Sequence, residues 1–290
     1  MKRLADILLG DLDKKNIVLT STLLFLALHA SGYRHVQLPV TIICSAGIIF
    51  PALKNSKYLW AAIILAYTVG NIALYFELVN HKFLYLYWCI AIFACLFSPD
   101  FEKAARFNAA LLIGLVFAIA TLQKLFSADY MDGSFILYIL VKDERVGNFL
   151  SMFHLLPKEM VEQNIRAASR LVNDAAYPYE ASLAYTVAAK HFSLILTWLT
   201  VIIEAVLAIL FLLPRRFSIT KYRDYIMWLF LFFGYMIAPI GGFGSVLALM
   251  GMAQAETKKR ELIYILLFLL VQIYGVELYK IIQFFARLFS

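Results

Sequence analysis

Charged residues are scarce in this chain of 290 residues. Asp, Glu, Lys and Arg make up 16% of it, against about 25% in soluble globular domains. Cysteines are few, and Cys44, Cys89 and Cys95 lie in apolar runs without the paired spacing of a metal or redox motif, which argues against a disulfide framework. What dominates instead is a hydrophobic fraction of 63%, which predicts an integral membrane protein embedded in a lipid bilayer.

The formal charge of +7 comes from basic residues that are dispersed along the chain. Such residues are typical of loops held at an anionic cytoplasmic leaflet. They do not form the dense basic patch that a nucleic-acid partner needs, so no nucleic acid is predicted as a partner.

The apolar residues are grouped in long runs separated by short polar connections. About 20 apolar residues are needed to cross a bilayer as a helix. We therefore expect an all-α integral membrane protein in which residues 1–290 form one polytopic bundle of about eight or nine transmembrane helices, preceded by an interfacial helix at 1–15. The apolar runs cover residues 16–33, 36–53, 59–78, 83–98, 106–126, 191–213, 224–253 and 262–285.

The run 224–253 is interrupted by APIGGFG. Proline removes a helix hydrogen bond and glycine lowers the cost of bending, so two short helices are predicted there, which gives nine crossings. With a cytoplasmic N-terminus, most basic residues then fall in cytoplasmic loops and the connection 142–190 lies outside the cell. The expected location is the inner (plasma) membrane, spanned several times.

Within that connection, Pro157 can open a helix, and Met160, Val161, Ile165 and Leu171 follow at helical spacing. The pattern predicts an amphipathic helix over 157–172. It fits equally a helix on the outer membrane surface and one that packs on the rest of the protein.

Ionisable side chains inside apolar runs carry the functional information, because each is costly in a bilayer unless paired or solvated. Lys124 lies near the end of the fifth run, where a snorkelling anchor and a catalytic base are both open interpretations. Glu77 and His81 share a helix face beside Asn80, as a hydrogen-bonded pair or, with a lower prior, a metal site. Glu204 lies near the centre of the run 191–213 and is either a buried structural acid or part of a site.

In the expected topology, seven ionisable residues lie toward the outer membrane face. An apolar pocket favours the neutral amine of a lysine, as a general base requires, whereas nearby acids oppose that shift. The sequence leaves open which effect is larger. The seven residues are Glu77, His81, Lys124, Asp129, Asp132, His191 and Glu277.

The stretch QKLFSADYMDGSFILYIL, from Gln123 to Leu140, resembles a motif of the vitamin K-dependent gamma-carboxylase and its bacterial relatives, the horizontally transferred transmembrane (HTTM) domain family. The matching positions are Lys124, Leu125, Asp129, Tyr130, Gly133, Tyr138 and, after one extra residue, Leu140. Upstream, VNHKFLYLYWCIAIFACLF is similar to an Asn-His helix opening of that family, at Asn80 and His81. The region around Glu204 and the run FFGYMIAPIGGFGSVLALM resemble later family helices more loosely.

This resemblance implies chemistry based on a reduced quinone and O2. In the carboxylase, the lysine that matches Lys124 deprotonates reduced vitamin K, and the strong base formed with oxygen removes a proton from a substrate glutamate before CO2 adds. It implies Lys124 as a catalytic base and His81 as a second catalytic group, with no metal. The supporting residues are Asn80, Glu77, Asp129, Tyr130, Gly133 and Glu204.

Two departures limit the resemblance. Gly234 follows Phe233 where the carboxylase has a histidine, and the chain ends soon after its last apolar run, so the large luminal domain of the carboxylase is expected to be absent. Glutamate carboxylation, and with it CO2 as a reactant, is therefore not the first expectation. Short bacterial relatives that mature a secreted toxin peptide match the size of this chain better.

Three functions follow as hypotheses. The first is an enzyme that modifies or matures a secreted peptide or protein through quinol-dependent base chemistry at Lys124, assisted by a small soluble accessory protein. The second is a non-catalytic membrane scaffold, immunity or export accessory protein that docks through the 157–172 helix. The third, a carrier, is a weaker hypothesis. Carriers commonly have a pair of broken helices, and this sequence predicts one broken helix.

Overall fold

The computed structural model describes residues 13–29, 34–73, 75, 81–142, 146–147, 150–151, 153–173, 183–237 and 241–275. Within these residues every secondary-structure element is a helix, so the all-α prediction is confirmed for them. The predicted interfacial helix at 1–15 lies almost wholly outside them. The α-helices with defined bounds are α1 Lys14–His29, α2 Arg34–Ile49, α3 Lys57–Ala73, α4 His81–Cys95, α5 Phe101–Leu125, α6 Ala128–Met131, α7 Ser134–Lys142, α8 Lys158–Asn173, α9 Val187–Leu212, α10 Arg223–Ile237, α11 Gly241–Gln254 and α12 Lys258–Gly275.

Short polar residues fix where several of these helices begin. Asp13 accepts hydrogen bonds from the backbone of α1, Asp100 accepts one from Lys103 in α5, and the Thr186 hydroxyl accepts one from Ala189 in α9. Each bond satisfies a backbone N–H that has no partner within its own helix. The starts of the helices therefore follow from local sequence.

The expected eight or nine transmembrane helices are wrong. Among the described residues, two helices, α5 with 25 residues and α9 with 26, are long and apolar enough to cross a membrane. At 1.5 Å per residue, a hydrocarbon layer of about 30 Å requires about 20 residues. α2, α3 and α4 have 16, 17 and 15 described residues. The prediction was based on the apolar runs of the sequence, which do not give the length of each continuous helix.

In the run 224–253, the described residues form α10 up to Ile237 and α11 from Gly241. Residues 238–240 of the predicted bend are outside the described part of the chain. Because neither helix is among the two candidate spans, the two crossings predicted there are wrong as well.

The chain divides into two compact units, and the boundaries between them in the sequence fall inside α5 and inside α9. The first comprises residues 1–116 and 207–290, and the second comprises residues 117–206. In the first unit, α11 packs against α12, α1 and α4, and it is buried from Gly244 to Gln254. Gly251 permits this close packing, since a Cβ atom there would overlap the Tyr264 ring.

In the second unit, α8 packs against α7. Val161 of α8 is buried in an apolar cluster with Leu137 and Leu140. Asn164, also buried, donates to the Ala184 carbonyl at 2.7 Å and accepts from the Ala184 N–H at 2.8 Å. The amphipathic helix is thus present, and its apolar face packs on the protein, as one of the two predicted alternatives required.

Candidate functional site

The candidate site lies in the second unit, where Lys124 of α5 meets Glu204 of α9. The Lys124 Nζ atom donates to Glu204 Oε1 at 2.5 Å and also contacts Oε2. The Lys124 side chain is 20% exposed and that of Glu204 is 8% exposed. The ion pair is therefore largely buried and is open mainly on the lysine side.

The helical repeat of α5 directs Lys124 inward. Ala109, Ile113, Phe117 and Thr121 are buried at intervals of four residues, and Lys124 continues this face one turn beyond Thr121. The Thr121 hydroxyl donates to the Phe117 carbonyl at 2.8 Å, which satisfies it inside an apolar helix. A lysine at the end of a buried face needs a partner rather than an apolar neighbour.

The partner comes from the buried face of α9. Ser193, Thr197 and Glu204 are all buried on that helix, whereas Ile195 and Ile202 are exposed. The Thr197 hydroxyl donates to the Ser193 carbonyl at 2.9 Å. Glu204 thus has a charged partner in Lys124, which offsets the cost of burying its carboxylate.

Tyr130 completes the cluster from α6. The Ser127 hydroxyl accepts a hydrogen bond from the Tyr130 backbone N–H and begins this short helix. The Lys124 Nζ lies 5.4 Å from the centre of the Tyr130 ring, within cation–π range. Burial, reinforced by the nearby Glu204 carboxylate, raises the pKa of Tyr130 to about 12, although a hydrogen bond with Thr200 acts the other way. The Tyr130 hydroxyl therefore stays protonated at neutral pH.

Gly133 forms the tight turn between α6 and α7. Its φ is +77°, and a Cβ atom there would lie 3.1 Å from Ser193 Oγ and 3.3 Å from the Leu194 backbone. A left-handed φ and this close approach both favour glycine. The glycine of the sequence motif thus has a structural role, since it lets the turn lie against α9.

Asp132 and Lys190 hold the same turn. Asp132 Oδ1 accepts the Ser134 N–H at 2.8 Å, and Lys190 Nζ donates to the Asp132 carbonyl, also at 2.8 Å. The hydrogen bonds from Ser134 hold the pKa of Asp132 below its ordinary value of 3.8, with a smaller contribution from Lys190. These contacts fix the turn that carries Tyr130.

Of the remaining predicted site residues, the structure describes two side chains in the same unit, and both are exposed. Asp129 is exposed in the first turn of α6, and His191 is exposed near the start of α9. His81 begins α4 in the first unit, where its backbone but not its side chain is described. Glu77, Asn80 and Glu277 lie outside the described residues. Of the two catalytic residues implied by the resemblance, Lys124 alone is part of the described cluster.

Thr200 is the site residue that sequence reasoning missed. Its hydroxyl donates to the Leu196 carbonyl at 2.7 Å, and its contact with Tyr130 acts to lower the pKa of that phenol. Thr200 precedes Glu204 by one helical turn, and residues four apart share a helix face. This spacing was the available signal.

Among the described residues, no set of three or more His, Cys, Asp or Glu side chains could hold a metal ion. The chemistry available in the described cluster is therefore that of an amine, a carboxylate, a phenol and a hydroxyl.

Comparison with known proteins gives no relative. No family model matches the chain, and neither the curated proteins nor the solved structures contain a match. The resemblance to the carboxylase relatives therefore stays a prediction from the sequence motifs.

Proposed function

We propose that this chain is a membrane protein that modifies or matures a secreted peptide or protein by proton-transfer chemistry at Lys124. The observation that supports it is the meeting of Lys124, Glu204 and Tyr130 in one largely buried cluster. Lys124 and Tyr130 belong to the sequence motif. Glu204 lies outside the motif, and its position inside an apolar run is a separate indication of a site.

The membrane location is part of this proposal and rests on α5 and α9. Along α5, Phe107, Leu111, Leu115 and Ile119 are exposed at intervals of four residues. On α9, exposed apolar residues including Ile195, Ile202 and Ile209 recur at helical spacing. An exposed apolar stripe on a helix of more than 20 residues is stabilised by contact with lipid acyl chains. The side of the membrane that the site faces stays a prediction.

Glu204 supplies what a lysine base needs. A general base must be unprotonated, and an amine in contact with a carboxylate can pass its proton to that carboxylate. Both products of such a transfer are neutral, which suits a site shielded from water. Lys124 would then accept a proton from a bound hydroxyl group, with Glu204 holding the proton that Lys124 released.

Tyr130 is placed to support the same step. Because its hydroxyl stays protonated, it can donate a hydrogen bond to an oxygen on which negative charge develops. Its ring lies beside the Lys124 amine. Tyr130 would orient the reacting group while Lys124 takes the proton.

The surroundings of Lys124 fit a reduced quinone. Such a molecule needs apolar contact for its ring and a basic group at its hydroxyl, and the Tyr130 ring beside the Lys124 amine lies 5.6 Å from the Phe135 ring. When bound, the quinone with O2 would supply the oxidative chemistry that drives removal of a substrate proton. Lys124 and Glu204 would hold the hydroxyl proton, and the two aromatic rings would exclude water.

The test is oxygen consumption by the purified chain supplied with reduced menadione. We compare the parent, Lys124→Ala and the matched control Lys158→Ala, an exposed lysine at the start of α8, after checking that each is monodisperse. Loss of a general base lowers the rate by about 10²–10⁴-fold. The proposal predicts this loss for Lys124→Ala alone, and consumption by Lys124→Ala at the parent rate contradicts it.

A second candidate is a non-catalytic scaffold, immunity or export accessory protein. It is favoured by the contact of Lys124 with both Glu204 oxygens, which is the geometry of a structural ion pair. Docking would then use the exposed polar face of α8, where Glu162 pairs with Arg166. Charge reversal at these two residues would abolish maturation of the secreted partner in cells, and Lys124→Ala would not.

A further inference from the structure

The first unit contains a dense group of charged side chains that the proposed function does not use. It lies where the ends of several helices meet, at the starts of α1, α5, α10 and α12 and in the segment after α9. The cations are Lys14, Arg106, Arg215, Arg223, Lys258 and Arg260, and the carboxylates are Glu102, Asp224, Glu256 and Glu261.

Asp224 is the best satisfied of these carboxylates. It is fully buried, and its oxygens accept from Arg260 at 2.7 Å, from Tyr264 at 2.8 Å and from the Gln254 amide at 2.5 Å. Its lone pairs are thus occupied by neutral donors and by one arginine. Asp224 therefore makes no direct contact with Arg223, although its charge still acts on that guanidinium.

Two of the other three carboxylates, Glu261 and Glu256, are also engaged, and the charge of the third, Glu102, acts on Lys14. Glu261 pairs with Lys14 at 2.9 Å, and Glu256 pairs with Arg215. After these pairs, Arg106 and Arg223 remain without a carboxylate contact among the described side chains. The group thus has two more cations than carboxylates.

Arg223 is 3% exposed, and its described partners are neutral. It donates to the Gln254 side-chain oxygen, and its guanidinium lies 5.5 Å from the Phe211 ring. Burial lowers the pKa of Arg223, and Arg260 and Arg106 lower it further, while Asp224 opposes the shift. A buried guanidinium that faces other cations is destabilised unless an anion is present.

Arg106 provides a second observation, separate from the charge count, that an acceptor is missing. Its Nε–H is buried and has no hydrogen-bond partner in the described part of the chain. A buried donor on a charged group is costly to leave unpaired. Lys14, Arg215 and Arg223 all lie close enough to Arg106 for its charge to lower their pKa.

Arg215 makes this region reachable from outside. Its side chain is 37% exposed, in contrast to that of Arg223. Burial and the charges of Arg223, Arg106 and Arg260 lower the pKa of Arg215 to about 10. The three arginines therefore lie near one another. Arg215 is exposed and Arg223 is buried, and both donate to Gln254.

We propose that Arg106, Arg215 and Arg223 form a binding site for a phosphate group. Guanidinium groups bind phosphate through paired, charge-assisted hydrogen bonds, and the surplus charge and the unpaired Nε–H of Arg106 are what such a ligand would satisfy. The phosphate belongs either to a lipid headgroup or to a free phosphate ion. The inference does not depend on the chemistry proposed for Lys124, which lies in the other unit.

The test has two arms on the full purified chain. In the first, native mass spectrometry counts adducts with phosphatidic acid, using phosphatidylcholine as the reference lipid. In the second, thermal unfolding is followed in sodium phosphate and in sodium chloride of equal ionic strength. Adducts that prefer phosphatidic acid identify a lipid headgroup, whereas stabilisation by phosphate without such adducts identifies a free ion.

Each arm compares the parent with Arg106→Gln and with the matched control Arg166→Gln, an exposed arginine of α8. Loss of one charge-assisted hydrogen-bonding group weakens binding by about tenfold. The proposal expects this loss for Arg106→Gln and none for the control. No binding in either arm, or equal weakening in both variants, overturns it.

If Arg106→Gln does not fold, Arg106→Lys decides the question. Lysine keeps the charge but lacks the Nε–H and the planar fork of donors. The expected result is a folded chain that binds several-fold more weakly than the parent. Binding at the parent level overturns the proposal.

Discussion

Lys124 and Glu204 are 80 residues apart in the chain, and Lys124 Nζ lies 2.5 Å from Glu204 Oε1. Each belongs to the buried face of its own helix, and each supplies the opposite charge that the other needs. This contact connects the sequence motif to an acid that the motif does not contain.

The strength of this pair is measured by a double-mutant cycle. Removing one partner of a buried ion pair leaves an unpaired charge, so Lys124→Met and Glu204→Leu should each lower the free energy of unfolding by about 3 kcal/mol. The double variant should lose about 2 kcal/mol less than the sum, because it leaves no unpaired charge. Reversible unfolding in denaturant measures all four proteins, and losses that simply add would show that the pair is not coupled.

Gly133 is required by its backbone conformation. Gly133→Ala places a Cβ atom at a φ of +77° and 3.3 Å from the Leu194 backbone, so it should destabilise the chain by about 1–3 kcal/mol. The control is Gly234→Ala in α10, where nothing lies within 4 Å of the added Cβ. That change should be neutral or stabilise the helix by up to about 1 kcal/mol. Thermal unfolding compares the two variants, and equal effects would contradict this explanation of the motif glycine.

Asn164 fastens α8 to the segment before α9 through its two hydrogen bonds with the Ala184 backbone. Asn164→Ala leaves that N–H and carbonyl unpaired, so it should cost about 2 kcal/mol. Gln163→Ala, at the adjacent exposed position, should have little effect. Hydrogen exchange of the Ala184 amide is the direct measurement, and unchanged protection in Asn164→Ala would show that these bonds do not hold the segment.

Asp132 should make the stability of the second unit depend on acid pH. Its folded-state pKa lies below the ordinary value of 3.8, so the carboxylate stabilises the folded state above that value. This stability is lost as the pH falls through the folded-state pKa. Asp132→Asn keeps an oxygen acceptor for Ser134 but cannot titrate. The melting temperature of Asp132→Asn should therefore fall less on acidification than that of the parent.

The control for this titration is Asp129→Asn, which changes an exposed carboxylate three residues earlier. Its melting temperature should fall with acid as steeply as that of the parent. A parent-like fall in Asp132→Asn would mean that other carboxylates cause the acid sensitivity.

Local features of the fold could be predicted because they depend on nearby residues. Apolar runs indicated a helix at each main segment. The spacing after Pro157 predicted α8. Hydrophobic periodicity and short polar caps act within a few residues, so they can be read from the sequence.

The number of membrane-spanning helices could not be predicted in the same way. Hydropathy measures how apolar a run is, whereas a span also requires one uninterrupted helix of about 20 residues. The helix α2 ends at Ile49 after 16 residues, although the apolar run continues to residue 53. A transmembrane count based on composition was therefore too high.

The sequence by itself determined the helical character of the described chain and the amphipathic pattern of α8. Only the tertiary structure decided that Glu204 is the partner of Lys124, that Thr200 contacts Tyr130 and that Arg106 lies near Arg215 and Arg223. The physical reason is range. Helix formation depends on bonds and spacings within a few residues, whereas an ion pair depends on which distant helix faces pack together.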